Sequence, residues 1–483
     1  MAAMTAVFLV SAGVLAVAIW VRGLRGIRLR RVAVLAAVLS ASMTVATGDW
    51  SWQLWLGAAG CALAAASTCL RRRRPTRWTA VVLTASTSLS VGLVLLAVAA
   101  LVALPVLRLL PPSGPAAVGT LVVELVDASR AEEATPDPDD RRFVVAQVWY
   151  PAAPGAGGRA WYLGRDQEEA ETVAAALARV FAVPSFLLDE AARARTAVSP
   201  EANPLASVER FPVVLFSPGL TGVRGQNTGW AMDLASHGYV VVAVDHPYDA
   251  AAVVRRDGTV ARTRVIATGD DVEDNRMADR LASLRAADLR FVLDELHQLT
   301  GLGDHGEQRS AGSDGLMRLQ GRLDLQRVAV AGHSIGGAAA LLAAGEDSRI
   351  KAVVDLDGLP RRIASLERRP PVLALVAGRG TGSAPGDERY DAALDEVLTA
   401  AAPPSVRVEV PGAAHLSFTD APAFLPPLPA LVGDGGRTSG SRAAAVATRA
   451  FLDAVLATEG ARPSAPLQDR LERIGVVTVH GSQ

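Results

Sequence analysis

The feature that most restricts how this 483-residue chain can fold is the string Gly332-His333-Ser334-Ile335-Gly336-Gly337. It stands between a β-branched run at 327–331 and an alanine-rich stretch at 337–344. A strand that turns at once into a helix needs small residues on both sides of the turning residue, because the backbones pass within contact distance there. The turn strains the serine and exposes its hydroxyl, and the helix N-terminus behind it favours negative charge. A G-x-S-x-G string alone occurs often by chance. The strand before it and the helix after it make Ser334 a candidate nucleophile rather than part of a plain glycine turn.

A serine hydroxyl needs a base. In elbow-bearing folds the chain order is nucleophile, acid, histidine. Beyond Ser334 the histidines are His415 and His480. His415 follows the strand-like run 406–410 through Pro411-Gly412-Ala413-Ala414, the position of a base on a loop at a sheet's carboxyl edge. His480 stands three residues from the C-terminus, where fraying is expected, so His415 is the candidate base. The acid should end the run 350–356, where both Asp355 and Asp357 stand. Two residues apart, they would point the same way on an extended strand, so periodicity does not choose between them. Asp357 is last and nearer the loop edge.

Developing negative charge calls for backbone N–H donors. One is expected from Ile335, the other from Leu220 in the loop Pro218-Gly219-Leu220-Thr221-Gly222 after the run 211–217. No Gly-Lys-Ser/Thr follows that loop, which argues against a phosphate cradle. His333 reads as structural. His246 and Asp249, at a strand end, are expected to shape the rim of the site. No His-Glu-x-x-His string or Cys/His cluster is present, so neither metal nor cofactor is expected. The cysteines, Cys61 and Cys69, lie in the apolar N-terminal part, so the rest of the chain is neither disulfide-stapled nor a thiol enzyme.

Strand-like runs at 120–126, 143–150, 211–217, 239–245, 327–331, 350–356, 371–377 and 406–410 alternate with helix-like stretches. The clearest helix is 275–299, where Leu281, Leu284, Leu289, Val292, Leu293 and Leu296 recur at near-helical spacing. Short buried strands alternating with helices predict a mostly parallel sheet covered on both faces, the α/β class. With the elbow, the expectation becomes the α/β-hydrolase fold. The segment 166–205 breaks the rhythm and reads either as a cap over a site or as a packed surface helix.

Half of the residues are hydrophobic, a share raised by four apolar segments at about 3–21, 32–48, 54–70 and 79–107. They predict an N-terminal bundle of about four transmembrane helices. Arginine clusters follow the first segment (Arg22, Arg25, Arg28, Arg30, Arg31) and precede the fourth (71–74 and Arg77). Positive loops stay cytoplasmic, so everything after the fourth segment is expected outside. The segments lack charged residues of the kind that mark transport pathways. Pro111, Pro112, Gly114 and Pro115 read as a linker, dividing the chain into a multi-pass membrane domain, 1–110, and a catalytic domain, 111–483. The net charge of −1 carries no basic footprint of a nucleic-acid binder.

At these residues the chain resembles the plasma-type platelet-activating-factor acetylhydrolases and their bacterial relatives. The matching pieces are Gln147-Val148-Trp149-Tyr150-Pro151, the Phe-Ser-Pro-Gly-Leu loop at 216–220, Asp233-Leu234-Ala235-Ser236-His237-Gly238-Tyr239, the elbow, Leu356-Asp357, and His415 with Phe418. They span most of 117–460. The resemblance implies Asp357 as the acid, Leu220 and Ile335 as oxyanion donors, and release of short or oxidised acyl chains from phospholipids without calcium. The chain departs from the pattern at Pro218, where the family more often has histidine. The expected function is therefore a membrane-anchored serine ester hydrolase acting outside the cytoplasmic membrane on a lipid or small-molecule ester. Competing expectations are a broad carboxylesterase, a polyester hydrolase, and a non-catalytic membrane protein whose hydrolase domain only binds a partner.

Overall fold

The computed structural model describes residues 52–70, 76–103, 107, 109–155, 157–207, 209–299, 313–362, 367–378, 388–426, 428–457 and 466–480. The chain separates into two compact units, 1–106 and 107–483. In the first unit, helix α1 (Trp52–Leu70) packs on helix α2 (Arg77–Ala103). The Ser90 hydroxyl donates to the Gly60 carbonyl at 2.7 Å, and the Ser67 and Ser86 hydroxyls bond at 2.8 Å. A Cβ at Gly60 would lie 2.9 Å from Val94 Cγ2, so glycine there permits the close approach. Small residues and hydroxyls of this kind hold apolar helices together where water does not drive the contact.

Among the described residues one helix, Arg77–Leu101, is long and apolar enough to cross a membrane, with a mean hydropathy of 2.2. The expected segments at 3–21 and 32–48 lie outside the described residues. Of the two expected segments among the described residues, 54–70 and 79–107, the second alone qualifies, by length and composition.

The second unit runs, in chain order, through β1 (Ala117–Ala131), β2 (Arg141–Ala152), α3 (Gln167–Val180), β3 (Ser199–Pro200), β4 (Phe211–Ser217), α4 (Thr228–Ser236), β5 (Val240–Asp245), β6 (Ala252–Val254), β7 (Val260–Arg262) and α5 (Asp271–Leu299). It continues with β8 (Leu323–His333), α6 (Ile335–Glu346), β9 (Ile350–Leu356), β10 (Val372–Ala377), α7 (Glu388–Ala400), β11 (Ser405–Val410), α8 (Ser439–Val455), α9 (Leu467–Glu472) and β12 (Val476–His480). Ten strands form one sheet in the order β12-β11-β10-β9-β8-β4-β5-β2-β1-β3. From β5 through β11 the pairs are parallel; β2 and β12 close the two sides antiparallel. This is an α/β-hydrolase-like sheet.

Burial explains why the central strands read as apolar runs rather than alternating ones. Every residue of β5 is buried, because α5 and α6 cover one face and α4 and α8 the other. Helix coverage on both faces removes the polar side that would create alternation. The residues 111–115, expected as a linker, are tied to α4: Ser113 N–H donates to Asp233 Oδ1 at 2.9 Å and Gly114 N–H to Ser236 Oγ at 2.8 Å. His480, expected at a frayed end, pairs in register with Ser405 on β11. The strands β3, β6, β7 and β12 were not legible beforehand, since runs of two to five residues carry too little periodicity.

The candidate active site

The carboxyl ends of β4, β8, β9 and β11 converge, and each delivers one expected site residue. At the end of β8, Ser334 adopts φ 56° and ψ −124°. For a residue with a Cβ this costs about 1–3 kcal/mol. Neighbouring contacts hold it there: Ser334 N–H donates to the Leu356 carbonyl at 3.0 Å. The elbow also depends on backbone contact. A Cβ on Gly332 would fall 2.0 Å from the Gly336 carbonyl oxygen, and one on Gly336 would fall 2.0 Å from the Ser217 carbonyl oxygen. Gly336→Ala is therefore expected to destabilise the fold by about 2–3 kcal/mol, the cost of overpacking a rigid contact. A denaturant midpoint unchanged from wild type would contradict this reading of the elbow.

His415 opens a short turn after β11, and its Nδ1 lies 2.6 Å from Asp357 Oδ2. The other Asp357 oxygen accepts from Ala377 N–H at 2.8 Å. Burial acts to raise the Asp357 carboxyl, but the His415 bond and charge, with the Ala377 N–H, hold it below its ordinary value. Asp355 does not meet His415. Its Oδ1 accepts from Gly358 N–H at 2.9 Å, and burial, with the Asp357 charge, pushes its carboxyl well above the usual range. Strand parity failed here for a definite reason: β9 ends at Leu356, and Asp357 turns off it with φ 58°.

Ser334 and His415 line one cavity of about 220 Å³ together with Gly219 and Leu220. No hydrogen bond joins Ser334 Oγ to His415 among the described residues; both side chains line the same cavity. The backbone N–H groups of Leu220 and Ile335 have no partner among the described residues; Ile335 starts α6, where such groups are unsatisfied by the helix. The cavity wall is largely apolar. Tyr162, Leu163, Leu177, Phe181 and Leu188 come from the stretch around α3, and Leu416 and Phe424 from beyond β11. The segment 166–205 is thus part of the cavity wall rather than a remote surface helix.

His333 is buried and ties the site's loops together. Its Nδ1 accepts from Gln226 Nε2 at 3.0 Å, and its Nε2–H donates to the His415 carbonyl at 3.0 Å. Gln226 Oε1 in turn accepts from Gly219 N–H at 3.0 Å. Burial, reinforced by the adjacent His415, pushes His333 down to about 3, so this ring stays neutral and keeps that tautomer. Gln226 has no motif around it, and nothing in the sequence could have marked it. His246 and Asp249 are each 1% exposed. They lie beneath the loop after β4, not at the rim expected for them, because β5 is covered on both faces up to its end.

Five residues after His415, Asp420 receives the N–H of Gly229 on both oxygens, at 3.2 and 3.1 Å. Burial pushes its carboxyl up to about 7. The unfolded value is about 4, so between these two pH values the folded chain binds more protons than the unfolded one. Stability from this group then falls as pH rises from about 4 to about 7 and is level above. Asp420→Asn should remove that slope, so its thermal midpoint gains on wild type across this window. Parallel midpoint-versus-pH curves would contradict it.

Comparison with known proteins gives a consistent set. A family model described as platelet-activating factor acetylhydrolase, isoform II, matches residues 142–456. A platelet-activating factor acetylhydrolase from Canis lupus familiaris is 30% identical over 192 residues, 36% of this chain and 41% of that protein. A probable 1-alkyl-2-acetylglycerophosphocholine esterase from Arthroderma benhamiae is 28% identical over 150 residues, 31% of each. The match spans about two fifths of the dog protein's length and less of the fungal one. Among solved structures, a ferulic acid esterase from Streptomyces cinnamoneus superposes with a TM-score of 0.58 at 28% identity, covering 77% of this chain and 99% of that one.

Proposed function

The chain belongs to the platelet-activating factor acetylhydrolase isoform II family, and from that premise we propose that it is a serine ester hydrolase cleaving short-acyl or phospholipid-type esters. The observation that carries this reading is the shared cavity: Ser334 and His415 line it, and His415 is bonded to Asp357 at 2.6 Å. Ser334 Oγ attacks the acyl carbonyl while His415 takes its proton, and Asp357 orients the imidazole and offsets its charge. The Leu220 and Ile335 N–H groups receive the oxyanion of the tetrahedral intermediate. His415 then returns the proton to the leaving alcohol, and water releases the acyl group by the same route.

A second reading has specific support. One solved structure that superposes is named a ferulic acid esterase, which favours a carboxylesterase accepting an aromatic acyl group. Acetyl, butyryl, long-chain and feruloyl esters separate the two. Turnover highest on acetyl and butyryl esters supports the first; turnover highest on the feruloyl ester replaces it with the second.

The anchoring also belongs to this proposal. One apolar helix, Arg77–Leu101, and the arginines immediately before it support a chain held at a membrane. Residues 1–110 would be the anchor, and 111–483 a catalytic domain on the extracytoplasmic side. The division of the chain at residue 106 is compatible with that boundary. A reporter enzyme active only outside the cytoplasm, fused after Gln483, should be active; a silent, stably expressed fusion counts against the topology.

A further inference from the structure

Beneath the loop that carries Leu220 lies a second Ser–His–Asp set. Ser217 Oγ is 2.9 Å from His246 Nε2, and His246 Nδ1 is 2.9 Å from Asp288 Oδ2. All three are at most 1% exposed, so no substrate reaches them and they are not a second nucleophile. One turn earlier on α5 is Arg285, wholly buried. Its Nε and Nη2 fork onto both oxygens of Asp249, at 2.6 and 2.7 Å. Its Nη1 donates to the Pro218 carbonyl, and its Nη2 to the Gly219 carbonyl at 3.1 Å. Gly222 N–H also donates to the Gly219 carbonyl, at 2.9 Å.

The consequence follows from the planar trans peptide. The Gly219 carbonyl and the Leu220 N–H belong to one peptide unit and point in opposite directions. Holding that carbonyl on Arg285 therefore fixes the Leu220 N–H facing away from α5. Gly219 and Leu220 line the cavity that holds Ser334, whereas Arg285 does not. The Gly222 turn bond holds the same carbonyl, and Arg285 adds a second, charged donor to it. A guanidinium suits the task, because one plane of donors can serve a carboxylate and two carbonyls together.

We infer that Arg285, held by Asp249, is a positioning residue that aims the Leu220 N–H at the developing oxyanion. This rests on the proposed reading of Ser334 as nucleophile and Leu220 as oxyanion donor. A misdirected donor weakens the transition state and not the bound substrate, so its loss appears in kcat and leaves KM alone.

The test uses the full chain, a p-nitrophenyl acetate assay and a trifluoromethyl ketone, whose adduct with the serine carries an oxyanion. Arg285→Lys keeps a cation for Asp249 but cannot span both carbonyls. It is expected to lose about 10²-fold in kcat, the scale of one oxyanion donor, with KM within about twofold. The ketone's inhibition constant should rise in parallel with the loss in kcat. A folded Arg285→Lys protein with kcat and ketone affinity near wild type overturns the inference, as does a change confined to KM. If Arg285→Lys does not fold, Asp249→Asn is read in its place. A loss of about tenfold in kcat with a parallel loss of ketone affinity supports the inference, and wild-type values for both overturn it. An active Ser334→Ala would instead remove the reading beneath it, so the two failures are distinguishable.

Discussion

Ser334→Ala is expected to lower kcat for ester hydrolysis by about 10⁶-fold, the scale seen when a serine hydrolase loses its nucleophile. The hydroxyl is the only group the substitution removes. The Ser334 backbone bond to Leu356 and the bonds that Ser334 accepts from Gly337 and Ala338 remain. Alanine must take the same φ of 56°, so the strain is unchanged and the thermal midpoint should move little. Residual turnover of about 10³-fold over water should persist, because the oxyanion donors and the cavity are still present. Activity within tenfold of wild type in a folded variant would remove Ser334 from the mechanism.

The second large effect concerns the cavity wall. Arg224 is 2% exposed and bonds to Asp245 and to Glu169, the latter at 2.7 Å. Asp245 and Glu169 are buried, and Arg165 joins Glu169 at 2.8 Å. Burial raises the Asp245 carboxyl even with Arg224 beside it. For Glu169 the same burial is overcome by Arg224 and Arg165, which hold it below its ordinary value. Arg224→Met leaves both carboxylates without their shared cation, and breaking such a buried set costs about 3–5 kcal/mol. Urea unfolding should read that loss, and adding Glu169→Gln and Asp245→Asn should recover most of it. A loss below about 1 kcal/mol would show that the carboxylates find water or other donors instead. Glu169 lies in α3, next to the cavity, so the single variant should also raise KM.

The strand runs that became β4, β8, β9 and β11 were legible because burial on both faces leaves continuous apolar sequence. The elbow was legible because glycine is the one residue that fits between the crossing backbones at 332 and 336. Asp357 was not separable from Asp355 by periodicity, since the decisive fact is a backbone turn with positive φ, which pattern alone does not encode. Arg285 and Gln226 were illegible as site-supporting residues, and Asp249 was legible only as a rim residue, for a related reason. They act through carbonyls and amides that lie 7 to 67 positions away along the chain, and no local spacing records such a contact. The N-terminal expectation fared differently again: apolar runs state length and composition, and of the two segments among the described residues one meets both.

Covalent capture reads out whether Ser334 carries the reacting hydroxyl. The full chain is incubated with a fluorophosphonate, digested, and its labelled peptide mapped by mass spectrometry. A single adduct per chain is expected on the peptide containing Gly332-His333-Ser334-Ile335-Gly336, absent in Ser334→Ala and slowed in Asp357→Asn. An adduct on another serine, or ester hydrolysis that persists in chains carrying no adduct, would contradict it.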